Sequence, residues 1–556
     1  MQDGNDLYKL ITLGRYLFFF FCFLSLRILS AQSLPSGYPV YEEAVRRGQL
    51  ITDNADSLNY SFLQQAGIKF PNAPFARKLS SVKVGIVPLR VTSLLNSSRP
   101  YWYSPQGMIP GKGGQIYTSG GVFVSHKFFE IDLQPEINLA QNSSYIGYRS
   151  FQEGSINFVF YQGLRRGDQP EIYGENSYSR VGLGQSKAVL KLGAFEGGVS
   201  TRNLWWGPGQ WNALTFSNNA PGFFHVTAGT HRPAKTFFGS FEFQLISGLP
   251  KSKKYTPLQQ DNLNAKVGQK PNRNRYLNAL TFSIQPKWIK GFSFGATRTV
   301  QTFTDSVSLT SFIDVFPVFW GVTKQSVGSD LVGESDRGRD QQITVFFRQV
   351  IPKAGVEFYG EFGRRDHALN LRDLTISPAH SRAYLLGLNK VFHLPGEKLV
   401  QIRSEMTQQA QSINWITRAN STTPWGTNGT IGGFTSWDQA MGVGAGMGAN
   451  VQMVELSLVE NLNKIGLYLE RRAPFADFYD TADLAKNGYK PWMDFTAGPI
   501  FDHQWKNLIF SGRMLFTYAS NYYWSQDLGS QADVSYPKQN NLFSTSTQLN
   551  VIYTFK

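Results

Sequence analysis

Residues 543–555 read FSTSTQLNVIYTF, and the parity of this stretch decides the fold. Side chains alternate across a strand, so Phe543, Leu549, Val551, Tyr553 and Phe555 share one face, against Ser544, Ser546, Gln548, Asn550 and Thr554 on the other. The same alternation recurs upstream. Phe129, Ile131 and Leu133 oppose Glu130, Asp132 and Gln134; Phe241, Phe243 and Leu245 oppose Ser240, Glu242 and Gln244. Val356, Phe358 and Phe362 oppose Glu357, Tyr359 and Glu361, and Val400 and Ile402 oppose Gln401, Arg403 and Glu405. A soluble sandwich alternates too, because one face packs inward. So many amphipathic strands with Phe gathered on one side fit a barrel whose apolar face is outside. An aromatic strand at the end of the sequence resembles the signal read by the barrel-assembly machinery, which is the expected partner during insertion.

The connections sharpen this. Outer-membrane barrels join strands by short turns at one end and longer loops at the other. Short turns are expected at 125–127, 193–197, 231–238, 286–290, 352–354, 393–398, 461–464 and 503–507. Between them lie stretches rich in Gly, Asn, Ser and Lys around 96–114, 138–185, 205–221, 249–275, 302–338, 364–380, 408–448, 473–491 and 520–540. Eight turns and nine loops predict an all-β transmembrane fold: an 18-stranded antiparallel outer-membrane β-barrel spanning 81–556, with both ends in the periplasm.

Composition agrees. The 556 residues are 41% hydrophobic and 17% charged, with 14% aromatic and 53 Gly, at a mean hydropathy of −0.26. Cytosolic enzymes average about 25% charged residues, and a helical membrane protein is far more apolar. Half of each barrel strand faces lipid and half a polar lumen, so the average is intermediate.

Lys9 and Arg15 precede the apolar run LFFFFCFLSL (17–26), and Leu29-Ser30-Ala31 offers small residues before Gln32, so 1–31 reads as a secretory signal peptide. Ten apolar residues cannot cross a hydrocarbon layer of about 30 Å as a helix. Cys22, the only cysteine, leaves with that segment. Neither disulfide nor Cys-based metal chemistry is then expected. The net charge of +15 would suggest nucleic acid, but an exported chain instead meets outer-membrane lipid, lipopolysaccharide phosphates or acidic glycans. Between 32 and 80 the spacing of Tyr41, Ala44 and Val45 is helical, and Asp56 is placed to cap a second helix carrying Leu58, Phe62 and Leu63. This segment predicts a short periplasmic cap or plug.

The stretch RNLWWGPGQWNALTFSNNAPGFF, from Arg202 to Phe224, resembles the hallmark of the Wzi capsule-assembly family. MIPGKGGQIYTSGGVF from Met108, LQPEI from Leu133, DQPEIYG from Asp168, RDQ from Arg339 and EFYGEFGRRDHALNLRDL from Glu357 support it in order. FTSWDQAMGVGAGMGAN, from Phe434, departs from the pattern expected of relatives. The resemblance implies an outer-membrane barrel acting as a lectin-like anchor or organiser of capsular polysaccharide or exopolysaccharide. The alternative is an outer-membrane polysaccharide export channel or sugar porin.

Sugars are held by aromatic rings against their C–H faces, with amides and charges on their hydroxyls. Trp205, Trp206 and Trp211 are candidate platforms, with Arg202, Asn218 and Asn219 as polar partners; equally, Gly207, Pro208 and Gly209 turn the chain while the tryptophans pack inside. Tyr101, Trp102 and Tyr103, and Tyr522, Tyr523 and Trp524, are second platforms or parts of an aromatic girdle. Lys251, Lys253, Lys254, Lys266, Lys270, Arg273 and Arg275 form a basic loop suited to an acidic polymer. No catalytic residue, metal or cofactor is expected. Glu130, Asp132 and Glu136, or Glu357 and Glu361, resemble paired acids, but with Arg348 and Arg403 they suit any polar lumen. His367, beside Asp366, and His380 lack metal-ligand spacing, and GVGAGMG at 442–448 lacks the context of a nucleotide loop.

Overall fold

The computed structural model describes residues 38–51, 76–79, 81–103, 107–151, 153–268, 273–320, 339–365, 375–376, 379–411, 425–524 and 541–555. The signal segment, the second helix expected near Asp56, Asp366 and His367, and Lys270 lie outside them.

The strands in ring order are β1 (Val82–Asn96), β2 (Gly113–Ser125), β3 (Phe129–Leu133 continued by Glu136–Ala140), β4 (Tyr178–Gly182 continued by Lys187–Leu192), β5 (Phe195–Ser200) and β6 (His225–Thr230). They continue as β7 (Gly239–Gly248), β8 (Arg275–Pro286), β9 (Phe292–Phe303), β10 (Asp340–Ile351), β11 (Val356–Arg365) and β12 (Arg382–His393). The ring ends with β13 (Lys398–Gln408), β14 (Asn450–Glu460), β15 (Asn463–Ala473), β16 (Met493–Trp505), β17 (Leu508–Ser520) and β18 (Leu542–Tyr553). Each pairs antiparallel with its sequence neighbour, and β18 closes on β1 from Leu89 opposite Tyr553 to Asn96 opposite Ser546. Eighteen strands make the ring, because β3 and β4 are each interrupted and the short strands Ala76–Leu79 and Ala234–Lys235 lie beside it. All eight short turns fall where the sequence predicts them.

The interruption has a local cause. Pro135 has no N–H to give the ladder, and the Gln134 N–H turns to the Ser186 hydroxyl at 2.9 Å. Opposite, Gly184 sits at φ +56°, where a Cβ would lie 2.5 Å from the Gln134 carbonyl.

Burial is inverted relative to a soluble sheet. Along β14, Glu455 and Ser457 are 3% and 2% exposed, whereas Val454, Leu456 and Leu458 are 40%, 50% and 41% exposed. Polar residues inside and apolar residues outside require a hydrocarbon surround. No described helix is long and apolar enough to cross a membrane; the strands do so.

Helix α1 (Pro39–Ile51) lies in the lumen at the short-turn end, against the Pro352–Ala354 turn. Pro39 presets its first turn, and Glu42 accepts the Tyr38 N–H at 3.3 Å. Its charged face is matched to the wall: Arg46 meets Glu357 at 2.6 Å, and Glu43 meets Arg47 at 3.1 Å, Arg403 at 3.1 Å and Lys464 at 2.7 Å. Burial opposes the Glu43 carboxylate, but Arg403, Lys464 and Arg47 outweigh it and hold the group down to about 2. At the long-loop end, α2 (Gly154–Gly167) and α3 (Asp261–Val267) pack together over an apolar cluster that includes Tyr148, Phe160, Leu263 and Trp492.

Candidate functional site

Three of the long loops turn into the barrel. The β5–β6 loop, which carries the WWGPG motif, arches into the lumen and hangs from two wall carboxylates. Glu405 on β13 accepts the N–H groups of Gln210 at 2.6 Å, Trp211 at 3.3 Å and Asn212 at 2.9 Å, and the Tyr359 hydroxyl at 3.0 Å. Glu361 on β11 accepts the N–H groups of Gly209 at 3.2 Å and Leu214 at 2.8 Å. The arch needs its glycine at 209: a Cβ there would lie 1.8 Å from the Asn212 carbonyl oxygen.

The loop before β14 locks onto this arch. Ser217 donates its N–H to Met441 at 2.7 Å and its hydroxyl to Gly442 at 2.6 Å, Asn219 donates to the Ala440 carbonyl at 2.9 Å, and the Trp425 indole donates to the Leu214 carbonyl at 3.1 Å. A Cβ on Gly442 would lie 2.2 Å from that same carbonyl oxygen. The glycines at 442 and 444 therefore serve close approach of two chain segments. In the β1–β2 loop, the Tyr101 hydroxyl and the Trp102 indole donate to Glu470 at 2.5 and 2.6 Å.

Most of the aromatic candidates are thus inside. Trp206 is 2% exposed; its indole donates to Gln244 at 2.9 Å and its ring meets Phe216 edge-on at 4.8 Å. Tyr522 and Trp524 are buried in the apolar cluster beneath α2, while Tyr523 is half-buried and donates to Glu171 at 2.7 Å. Asn218 and Asn219 are buried, and Arg202 is held by Asp132 at 2.5 Å and the Gln185 carbonyl at 3.0 Å. Trp205, Trp211 and Tyr103 keep partial exposure, and the Arg403 guanidinium lies 4.7 Å from the Trp211 ring centre.

The basic loop is smaller than its sequence suggests. Lys251, Lys253, Lys254, Lys266 and Arg273 are exposed, but Arg273 is engaged by Asp305 at 2.7 Å. Arg275 does not belong to the loop. It opens β8 on the inward face, is 5% exposed, and donates to the Gly433 and Thr435 carbonyls at 2.5 and 3.0 Å while facing Asp168. The acids that suggested paired carboxylates are engaged as well: Glu130 by Lys187, Asp132 by Arg202, Glu136 by Arg180, and Glu357 by Arg46 and Arg348.

One rim site escaped the sequence reading. Thr435–Ser436 pairs with Gln439–Ala440 in a hairpin whose two turn residues, Trp437 and Asp438, have φ of +55° and +60°. Such turns favour Asn-Gly, and L residues in this conformation cost roughly 1–2 kcal/mol each. Hydrogen bonds hold the strained tip. Trp437 donates its N–H to the Lys251 carbonyl at 2.6 Å, while Asp438 accepts the Ser252 hydroxyl at 2.5 Å and the Lys253 N–H at 2.8 Å. Burial pushes the Asp438 carboxyl up, against the Ser252 and Lys253 hydrogen bonds. Over the half-buried Trp437 ring stand Arg180 at 5.4 Å, Lys251 at 5.5 Å and Lys253 at 5.4 Å from its centre. The ring quadrupole gathers these cations, and the exposed Lys251 and Lys253 keep ammonium hydrogens for an anionic ligand. The only trace of this site in the sequence is the WDQ that departs from the family pattern.

A family model described as capsule assembly protein Wzi matches residues 106–472. No curated protein matches the chain. Among solved structures, Wzi of Escherichia coli, described as an outer membrane protein involved in group 1 capsule assembly and a carbohydrate binding β-barrel, aligns with a TM-score of 0.51 at 13% identity, over 84% of this chain and 85% of that one. The outer membrane protein OprD of Pseudomonas aeruginosa aligns with a TM-score of 0.39 at 8% identity, over 85% and 94%.

Proposed function

The chain belongs to the capsule assembly protein Wzi family, and on that premise we propose that this outer-membrane barrel binds capsular polysaccharide or exopolysaccharide on its long-loop face and retains it at the cell surface. The short turns, α1 and both chain ends then face the periplasm, and the loops face outward. The protein acts as a holder, without covalent chemistry. The observation that carries this reading is the Trp437 plate with Lys251 and Lys253 beside it. Pairing with the two ammonium groups gathered on the indole selects an acidic sugar over a neutral one. Half-buried Trp205 and Tyr523 extend the surface, while Trp211 and Tyr103 pack against the apolar cluster in the lumen. Trp206, Tyr101, Trp102, Tyr522 and Trp524 shape the loops from beneath, and Arg202, Asn218 and Asn219 fix the arch. Lys254 and Lys266 add long-range attraction, to lipopolysaccharide phosphates as much as to polymer. Many weak contacts along one chain give retention that no single site supplies.

The test is binding of polygalacturonate and dextran to the full chain in lipid nanodiscs. The charged polymer binds and dextran does not. Joint Lys251→Gln and Lys253→Gln substitution weakens binding by about tenfold, since two exposed ion pairs are worth roughly 1.4 kcal/mol together. Equal binding of both polymers, or no loss in the double variant, contradicts the reading.

A further inference from the structure

The segment after β9, Thr304–Trp320, behaves unlike the loops that enter the lumen. Its short helical turns, Phe312–Val315 and Pro317–Phe319, fold back over the outside of the barrel. Parity identifies the surface they cover. On β9, Thr297 and Thr299 face inward, so Arg298 and Val300 face outward; register sets Arg298 opposite Leu280 of β8 and Ile343 of β10, and Val300 opposite Asn278 and Gln341. Lower on the same wall the outward residues are apolar and exposed: Phe294, Phe282, Val345 and Phe347. Toward the long loops the outward residues Asn278 and Val300 are instead 0% exposed.

The fold-back buries and bonds them. The Val318 N–H donates to the Asn278 side chain at 3.2 Å, Arg298 donates to the Val318 carbonyl at 2.9 Å and to Gln341 at 3.1 Å, and the Tyr276 hydroxyl donates to the Val315 carbonyl at 2.5 Å. Arg339 pins the segment from its far side, through Asp314 at 2.6 Å. The other side of the segment carries Leu309, Phe312, Ile313, Phe319 and Trp320, all exposed, with the Phe312 ring 5.5 Å from Trp320 and 5.0 Å from Phe316.

Depth decides what meets this aromatic face. Arg298 stands six positions above Phe292, at the turn end of β9. At about 3.3 Å per residue and a tilt near 40° that is roughly 15 Å, inside an apolar band about 25 Å tall. Its register partner Ile343 is itself outward and 45% exposed. A lipid-facing arginine at this level is costly unless its donors are satisfied and screened.

We propose that Thr304–Trp320 is a membrane-embedded flap: its Val318 peptide groups bond Arg298 and Asn278, and its aromatic face continues the lipid-facing wall into the leaflet on the long-loop side. The partner is lipid, because the aromatic face is continuous with the exposed apolar band of β8–β10.

The test is spin labelling of the full chain in phosphatidylcholine nanodiscs, on a Cys22→Ser background, at Phe319→Cys and Ile313→Cys. Phe294→Cys serves as the lipid-facing reference. Both flap labels are relaxed severalfold more by oxygen than by a water-soluble nickel chelate, as at the reference. Preferential relaxation by the nickel chelate at both positions places the flap in water and overturns the proposal. So does exclusion of both reagents with spin–spin broadening between chains, which would make the face a contact between two copies. As a second readout, Asn278→Leu removes most of the loss in heat-modified mobility that Val318→Pro causes by deleting the N–H that Asn278 accepts; undiminished loss overturns the shielding role.

Discussion

Replacing Glu405 with Ala isolates what holds the β5–β6 arch inside the lumen. The carboxylate accepts three consecutive backbone N–H groups, two of them at 2.6 and 2.9 Å, and Ala leaves those donors buried with nothing to accept them. A hydrogen bond to a charged acceptor contributes about 1.5–3 kcal/mol, so the two well-formed bonds at the low end make the arch about 3 kcal/mol easier to open. The barrel ladder is untouched, because Glu405 points into the lumen and β13 keeps its pairing with β12 and β14. The effect is therefore local. Amide hydrogen exchange followed by mass spectrometry should show the peptide spanning 210–214 exchanging roughly 150-fold faster, with Asn463–Ala473 on β15 unchanged as the internal control. Glu405→Gln, which keeps an acceptor but not the charge, falls between. A change below about threefold, with the barrel intact, would refute the claim that this carboxylate suspends the arch.

Acid should loosen α1. Glu43 is held down to about 2, from an ordinary 4.5, so its contribution is complete above pH 4.5 and is lost as pH falls from there toward 2; Glu43→Gln should flatten that acid limb in thermal melts of the micelle-bound protein. Gly209→Ala brings a Cβ to 1.8 Å from the Asn212 carbonyl oxygen and should expose the arch to protease, whereas Gly48→Ala in α1, with nothing within 4 Å, should be neutral or stabilising by up to about 1 kcal/mol. In planar bilayers the wild type should conduct less than a variant lacking residues 205–214, and a wild-type pore as open as that variant would favour a channel.

The ring was legible because turn length and side-chain parity are local properties: Gly193, the Pro352–Ala354 turn and the run from Val356 to Phe362 carry their meaning wherever the chain goes. The lumen was not. Alternation assigns Glu361 and Glu405 to the wet face but cannot tell that each waits for a loop from β5 and β6, a contact spanning about 150 to 195 positions. Tryptophans next to glycine read equally as ligand platform or as packing, and Trp206 and Trp205, adjacent in sequence, differ in burial. Charge counted along the chain groups Arg275 with the lysines before it, whereas its strand parity, which turns it inward toward Gly433, depends on where β8 begins. Trp437 carries no turn signal because a Trp-Asp pair is an improbable hairpin tip; the bonds to Lys251, Ser252 and Lys253 keep it there.

Retention of polymer at the surface is the property on which the whole account rests, and fractionation of cells lacking this protein measures it directly. Polysaccharide should be made and exported normally but recovered in the medium instead of on the cells, and the chain carrying Lys251→Gln, Lys253→Gln and Trp437→Ala should fail to restore the coat. Polymer trapped in the periplasm, or a coat unchanged by the deletion, would contradict it.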